Sequence, residues 1–450
     1  AMNAIKLGLV GHPLGHSMSP YIHERIMEAS GISGRYELYD IDPKEMDRYV
    51  PFLLRELHGF NCTIPHKEKI IGYLDGMDPL SERLGAVNTV FERRGYNTDR
   101  EGFRACNVDL KDKKVLILGA GGVARVLAFE AADAGATINI LAIYKDQAEA
   151  LARDIGSIAK TVRVTDTGEE AFELHPDVVM NATPVGMWPH YGALPDFSKY
   201  IGKGMTVFDT VYNPPATRFV LRAGRDGAQA SGGLSMLFYQ ALAAQRIWNP
   251  DADFNERRLL PILRDLPREM LKKSPVKILL TGFMGSGKTT VGRLLAELLG
   301  VAFVDLDHEI ERICGCPITE IFERDGEVTF RKIETDVYRE YLKRPGSLVI
   351  ASGGGLITRE ENRRLTEELS ALNVFLDAPV GLLWERIKSE RSRPLAGDPD
   401  EPEAGRFMKV ARLFEARLPE YKTHGDVIVK ADREPERIAR DIATALGYGG

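Results

Sequence analysis

The sequence predicts an α/β protein built on mainly parallel sheets, in roughly three structural units. Three observations carry this expectation. Short apolar, β-branched runs alternate with longer amphipathic stretches through nearly all of the 450 residues. The alternation stops in a charged, proline-bracketed stretch at 266–275 and then restarts. Two glycine-rich turns of different design, LGAGGVAR at 118–125 and GFMGSGKT at 282–289, each follow a strand-like run and precede a helical pattern.

In order along the chain, IKLGLVG, YELYDI, GFNCTI, KVLILG, TINILAI, DVVMNA and MTVFDTV read as strands. LPREMLKKSP at 266–275 is weakly periodic and reads as a linker. After it VKILLTG, VAFVDLD, SLVIASGG, NVFLDA and DVIVKA begin a second alternation, which implies an independent domain over 276–450. LAGDPDEPEAG at 395–405 is acidic, rich in Pro and Gly and poor in apolar residues, so it reads as a mobile loop.

Composition narrows the function classes. Hydrophobic residues make up 44% and charged residues 28%, which suits an ordinary globular protein. A net charge of −6 gives no reason to expect nucleic acid or an anionic membrane as main partner. No run approaches the ~20 apolar residues needed to cross a bilayer, and no secretory signal is evident. Cys62, Cys106, Cys314 and Cys316 are too scattered for a disulfide framework, and Cys314 with Cys316 lacks zinc spacing. A reducing, cytoplasmic setting is expected.

GFMGSGKT fits G-x-x-x-x-G-K-[ST] between a strand and a helix. Backbone N–H groups of such a loop, with the helix N-terminus behind them, surround phosphate oxygens. Gly285, Ser286, Gly287, Lys288, Thr289 and Thr290 are therefore the expected ATP-binding residues. Lys288 should reach the β- and γ-phosphates, and Thr289 should ligate Mg2+. Period-two alternation puts Asp305 and Asp307 on one side of the next strand's end, one for the metal and one to orient an acceptor hydroxyl. EVTFRKIE places Arg331 and Glu334 one helical turn apart. ASGGGLIT supplies Gly353, Gly354 and Gly355 after a buried strand, where backbone can approach a ligand closely. RSRPL brings Arg391 and Arg393, and EARLPEY brings Arg417 and Tyr421.

Together these motifs resemble shikimate kinase over about 276–447. The resemblance implies a P-loop NTPase-type parallel-sheet domain in which Arg331, Arg417 and the Gly353–Gly355 turn hold the shikimate carboxylate and ring. It also implies that Asp307 contacts the ring hydroxyls and, with Lys288, forms the catalytic set, that Asp305 lies near Mg2+, and that 391–407 is a lid bringing Arg393 to the phosphates.

In the N-terminal part, Gly119, Ala120, Gly121, Gly122 and Val123 form a dinucleotide-type turn that departs from strict G-x-G-x-x-G. Around it small hydroxyls, amides, a lysine and an aspartate recur after strands. Ser17 and Ser19 stand in GHPLGHSMSPYIHE, Asn61, Thr63 and Lys67 in GFNCTIPHKE, Asn88 in GAVNTVF, and Asn97, Thr98 and Asp99 in GYNTDREGF. Such a set can line a pocket for a polyhydroxy acid. Ser19 before Pro20 also reads as a helix cap, and His16, His23 and His66 read as structural.

These motifs resemble shikimate dehydrogenase over about 5–262. Further matches are NATPVGM (Asn181, Thr183, Met187), FDTVYNPPAT (Tyr212) and GGLSMLFYQ (Gly233, Met236, Gln240). The resemblance implies a substrate lobe at 1–109, completed by 234–265, and a Rossmann lobe at 110–233. It implies that Ser17, Ser19, Asn61, Thr63, Asn88, Asp99, Tyr212 and Gln240 line the substrate site. Lys67 and Asp99 are then the catalytic pair. Asn181, Thr183, Gly233 and Met236 join the glycine turn around the cofactor. Members that use NADP usually carry Asn-Arg-Thr where this chain has Ala142, Ile143 and Tyr144. Lys145 or Arg125 would have to meet the ribose phosphate instead. NADP is the expected cofactor, with NAD an open alternative.

The combined expectation is a bifunctional enzyme of aromatic amino-acid biosynthesis. It reduces 3-dehydroshikimate to shikimate, then phosphorylates shikimate with ATP and Mg2+. Alternatives are a quinate dehydrogenase or a non-catalytic shikimate sensor at the N-terminus, and a nucleotide or sugar-acid kinase at the C-terminus.

Overall fold

A computed structural model of the chain describes residues 4–390, 397, 398 and 400–449. The chain forms two compact units. The first comprises 1–184, 195–215 and 227–273, and the second 185–194, 216–226 and 274–450.

The first unit holds two sheets. One is built from β1 (Ile5–Gly11), α1 (Ser19–Ala29), β2 (Gly34–Asp40), α2 (Met46–Glu56), β3 (Gly59–Cys62), β4 (Gly76–Met77), α3 (Pro79–Leu84), β5 (Thr89–Phe91), β6 (Arg94–Tyr96) and α4 (Asp99–Ala105). Its strand order is β2-β1-β3-β5-β6-β4. β1 runs parallel to β2 and β3, whereas β5 is antiparallel to both neighbours. Short hairpin strands such as β5 and β6 carry too few residues to show a period in sequence.

The other sheet arises from β7 (Lys114–Leu118), α5 (Gly122–Asp133), β8 (Thr137–Leu141), α6 (Lys145–Ile155), β9 (Thr161–Thr165), α7 (Gly168–Glu173), β10 (Val178–Asn181), β11 (Thr206–Asp209) and β12 (Gln229–Ser231). Its order is β12-β11-β10-β7-β8-β9, parallel throughout. The strand order reverses between β10 and β7, which opens the ligand crevice of doubly wound sheets at the carboxyl ends of those two strands. Helix α8 (Arg218–Arg225), between β11 and β12 in sequence, belongs to the second unit.

The chain then forms α9 (Leu234–Trp248) and α10 (Glu256–Lys273). The expected linker at 266–275 is corrected here, because residues 266–273 are the last two turns of α10. Leu259, Ile262, Leu266 and Met270 recur at helical spacing and are buried against Ile22, Ile26, Phe238 and Leu242. The charges that suggest a linker are the solvent face of that helix.

The second unit adds β13 (Lys277–Thr281), α11 (Lys288–Leu299), β14 (Ala302–Asp305), α12 (Leu306–Cys314), α13 (Ile318–Lys343), β15 (Leu348–Ala351), α14 (Glu360–Glu368), β16 (Ala371–Asp377), α15 (Val380–Ile387), α16 (Glu403–His424), β17 (Val427–Lys430) and α17 (Pro435–Ala445). The order β14-β15-β13-β16-β17 is parallel throughout and puts β13 at the centre. α13 is broken at Gly326, whose φ of 81° no other residue adopts readily. Of the segment 391–407 expected as a lid, 403–407 are the first residues of α16, and 391–396 and 399 lie outside the described residues. Arg391 and Arg393 lie outside the described residues. No helix among the described residues is long and apolar enough to cross a membrane.

Candidate active sites

In the first unit the polar residues that the sequence scatters over 80 positions converge. Lys67 Nζ lies 2.7 Å from Asp99 Oδ2, and the two side chains are only 14% and 11% exposed. Asp99 is the first residue of α4, where the helix dipole favours a carboxylate. Its Oδ1 accepts a bond from Asn88 Nδ2 at 3.0 Å. Asn88 Oδ1 in turn accepts from Thr98 N–H at 2.8 Å. Asn61 donates to Thr89 Oγ1 at 3.0 Å and accepts from the Tyr36 hydroxyl at 2.8 Å. This buried network fixes the amide orientations around the pair. Tyr36 belongs to it although no motif marks it, and so does Thr89, which stands in GAVNTVF, where the sequence singles out Asn88 alone.

Ser17 accepts from the Ser19 N–H at 3.2 Å, so Ser17 organises the entry to α1. Ser19 is not the cap expected from sequence, since the helix already begins there and Met18 holds the N-cap position. Thr63 follows β3, its N–H on Val10 O at 2.9 Å. Gln240 reaches the same region along α9, which packs on α4 so closely that a Cβ at Gly102 would lie 3.1 Å from Gln240 Cβ. Tyr212 sits among the hydrophobic contacts of α1 and α9, and burial pushes its hydroxyl pKa upward. His23 is fully buried, stacked on Tyr36 at 4.3 Å, and burial drives its pKa down to about 3. His66 is buried with Nε2 2.6 Å from Ile41 O. These two histidines are structural. His16 is exposed.

The glycine turn lies beside this network. A Cβ on Gly122 would stand 3.9 Å from Lys67 Cδ, whereas one on Gly121 would meet nothing within 4 Å. Gly119 needs its φ of 104° and abuts Thr183, 3.1 Å from the position of a Cβ. Ala120 and Val123 flank the turn, half-buried against the cofactor-sheet core. Asn181 ends β10, donating to Asp209 Oδ1 at 3.0 Å and accepting from Thr183 Oγ1 at 2.6 Å. Gly233 leaves no space for a side chain, since a Cβ would fall 2.2 Å from Thr210 O. The open cradle at Gly121 on the N-terminus of α5 fits a dinucleotide pyrophosphate.

Two expected cofactor residues are placed differently. Met236 is packed in the core with Phe208, so its side chain is committed there. Arg125 turns away from the cradle. Its Nε donates to Leu84 O at 2.9 Å and its Nη1 pairs with Asp154 at 2.9 Å. A residue four positions into a helix faces whichever neighbour packs there, and α3 packs here. Beyond β8, Ile143 is 86% exposed and Lys145 pairs with Asp166 at 3.0 Å.

In the second unit the phosphate loop follows β13, and Gly285 and Gly287 take φ of 80° and 91°. Lys288 Nζ donates to Gly282 O at 2.9 Å and Phe283 O at 3.0 Å, folded over the loop it is to serve. Ser286 is buried and Thr290 is exposed on the first turn of α11. Thr289 Oγ1 is hydrogen-bonded to Asp305. Asp305 caps α12, accepting from Asp307 N–H at 3.0 Å and His308 N–H at 3.2 Å. Contrary to expectation, strand alternation does not relate Asp305 to Asp307; the strand ends at Asp305, and the cap turns Asp307 inward. Thr289 and Asp305 offer hard oxygen donors that fit Mg2+, whose other ligands would be water and phosphate. Among the described residues no group of three or more His, Cys, Asp or Glu could hold a metal unaided.

The glycine triple gathers charged side chains closely around it. A Cβ on Gly353 would lie 2.7 Å from Glu334 Oε2 and 2.9 Å from Asp307 Oδ1. One on Gly354 would lie 3.3 Å from Arg417 Nη1, and one on Gly355 2.5 Å from Arg331 Nη2. Arg331 Nη1 donates to Glu334 Oε1 at 2.9 Å. Glu334 is buried with Oε2 unpartnered, and burial raises its pKa against the pull of Arg331. Tyr421 hydroxyl donates to Gly354 O. Arg386, which no motif singles out, donates to Gly285 O at 3.0 Å and braces the phosphate loop.

Comparison with known proteins adds to this geometry. Residues 9–90 match the shikimate dehydrogenase substrate binding domain, and residues 284–447 match shikimate kinase. A shikimate dehydrogenase (NADP(+)) of Moorella thermoacetica is 38% identical over 256 residues, which span 54% of this chain and 87% of that protein. The crystal structure of shikimate 5-dehydrogenase from Thermus thermophilus in complex with NADP(H) and shikimate is similar with a TM-score of 0.52 and 32% identity, over 58% of this chain and 98% of that one. The enzyme from Listeria monocytogenes, in complex with shikimate and NAD, is similar with a TM-score of 0.53 and 29% identity, over 58% and 97%.

Proposed function

The chain belongs to the shikimate dehydrogenase family and carries a shikimate kinase domain after it, and from that premise we propose how its own residues perform the two reactions. It is a bifunctional enzyme that reduces 3-dehydroshikimate to shikimate with NADPH and phosphorylates shikimate with ATP. The observation that carries the assignment is that two acid-binding constellations, one on Lys67–Asp99 and one on Arg331–Arg417, each adjoin a glycine-rich nucleotide turn.

In the first unit Asn61, Thr63, Asn88, Gln240 and the hydroxyls of Ser17 and Ser19 hold the ring and carboxylate of dehydroshikimate. NADP, when bound in its reduced form on the 119–123 turn, supplies the hydride. The Lys67 ammonium stabilises the negative charge that grows on the carbonyl oxygen and donates the proton that makes it a hydroxyl. Asp99 holds that ammonium in place through the 2.7 Å bond. A sensor that has lost chemistry has no need of this ion pair.

In the second unit the loop N–H groups and Lys288 neutralise the triphosphate, as phosphoryl transfer requires. Thr289 and Asp305 would hold Mg2+, which would supply screening of the phosphate charge. Arg331 and Arg417 take the shikimate carboxylate, where a planar guanidinium fork fits best. Asp307 orients the attacking hydroxyl and accepts its proton. With four cysteines that are all free, we place the enzyme in the cytoplasm.

A single-tube assay tests the whole reading. Purified chain given dehydroshikimate, NADPH and ATP–Mg2+ is expected to release shikimate 3-phosphate, and omitting NADPH should abolish it. Product that forms from added shikimate but never from dehydroshikimate would refute the reductase half; shikimate that accumulates from dehydroshikimate without ever being phosphorylated would refute the kinase half.

A further inference from the structure

The second unit contains a buried ionic knot that neither reaction uses. Helix α8 carries Arg218, Arg222 and Arg225 at intervals of four and three, hence on one face. All three reach the turn between α16 and β17. Arg218 Nε and Arg222 Nε both donate to Asp426 Oδ1, at 2.8 and 2.7 Å. Arg225 Nη1 donates to Thr423 O at 3.0 Å and Gly425 O at 2.7 Å, covering the carbonyls at the end of α16. Arg218 Nη1 also donates to Gly192 O at 2.6 Å, and Gly192 N–H donates to Ser370 Oγ at 3.1 Å.

Asp426 is fully buried and passes the constraint inward. Its Oδ2 accepts from Asn373 N–H at 2.8 Å, and its own N–H donates to Asn373 O at 2.7 Å. Asn373, in β16, has its side chain pinned at both ends. Nδ2 donates to His424 O at 2.9 Å, and Oδ1 accepts from Thr281 Oγ1 at 2.8 Å. Thr281 is the last residue of β13, and Gly282 opens the phosphate loop. The take-off is tight: a Cβ on Gly282 would lie 2.8 Å from Leu376 O, again in β16. The position of β16 thus decides where the loop begins.

Resting on the kinase reading above, we infer that Arg218 and Arg222 are positioning residues for ATP: they hold Asp426, which through Asn373 and Thr281 sets the start of the phosphate loop. Burial alone would raise the Asp426 pKa; the charges of Arg218 and then Arg222 keep the carboxyl below its ordinary value. Without those charges a buried carboxylate loses its compensation, and β16 has to shift or admit water. The nucleotide loop, not the acceptor site, lies at the end of this chain of bonds. The kinase unit therefore depends on residues 216–226, far upstream of its own motifs.

The test uses the full chain and the double variant Arg218→Met/Arg222→Met. The KM for ATP is expected to rise about tenfold, the scale of a small misplacement of a positioning group, while the KM for shikimate stays within about twofold. Adding Asp426→Asn removes the orphaned charge and should bring most of the ATP affinity back. An unchanged KM for ATP would overturn the inference. So would a fall in kcat that merely tracks lost folded protein, with both KM values intact and no rescue. Should the double variant be insoluble, Thr281→Val cuts the same chain at its other end and is expected to raise the KM for ATP alone; no change there would equally overturn it. A wild-type chain without kinase activity would instead sink the kinase reading itself, so the two failures are distinct.

Discussion

Lys67→Met removes the ammonium from the reductase site while nearly conserving side-chain volume. In the native structure the Lys67–Asp99 bond is 2.7 Å long and both side chains are more than four-fifths buried, so solvent competes weakly for either. Loss of a positioned general acid costs about 10²–10⁴ in rate, so kcat for dehydroshikimate reduction is expected to fall about a thousandfold. That corresponds to about 4 kcal/mol of barrier. The effect on folding should be much smaller, about 1–2 kcal/mol, because Asp99 keeps its bond from Asn88 Nδ2 and its place at the start of α4. KM should change little, since Asn61, Asn88 and the serines still hold the substrate. Steady-state NADPH oxidation, followed optically at saturating dehydroshikimate, measures kcat; phosphorylation of added shikimate by the same preparation reports intact protein. A reductase kcat within about tenfold of wild type would refute the assignment of Lys67 as proton donor.

The remaining expectations concern the other groups. Arg331→Lys keeps the charge but loses the fork, so the KM for shikimate should rise about tenfold while the KM for ATP is unchanged; equal changes in both would argue against carboxylate recognition. Chelating Mg2+ with EDTA should stop phosphorylation and leave dehydroshikimate reduction unaffected, and a loss of both would show that the metal has a second role. With Lys145 held by Asp166 and Arg125 by Asp154, discrimination between NADPH and NADH should be modest. Ile143→Arg, at an exposed position, should raise the ratio of kcat/KM for NADPH over NADH about tenfold, as a new contact to the 2′-phosphate would; an unchanged ratio would place that phosphate elsewhere.

Much of this architecture is legible because parallel strands buried on both faces leave uninterrupted apolar runs. Both glycine turns are legible because phosphate binding demands backbone that few other residues permit. Legibility fails where a local rule meets a distant neighbour. Residues 266–275 look like a linker if the window begins at Leu266; the period appears only when Leu259 and Ile262 are included. Asp305 and Asp307 reach one site through a helix cap, which overrides strand alternation as soon as the strand ends. Helix position alone puts Arg125 beside the cofactor, but the Leu84 carbonyl and Asp154 compete for the same guanidinium. The Arg218–Asp426 bond joins residues 208 apart, and three arginines on one helix face are too ordinary a pattern to signal it.

The three consecutive glycines of the acceptor site carry a consequence for how this enzyme can evolve. At Gly353 and Gly355 even a methyl group would intrude to within 2.7 and 2.5 Å of Glu334 and Arg331. Those atoms end flexible side chains, so a methyl group there is admitted only by displacing Glu334 and Arg331 from their present places. Any substitution at either position is therefore coupled to movement on α13, which carries both of those side chains.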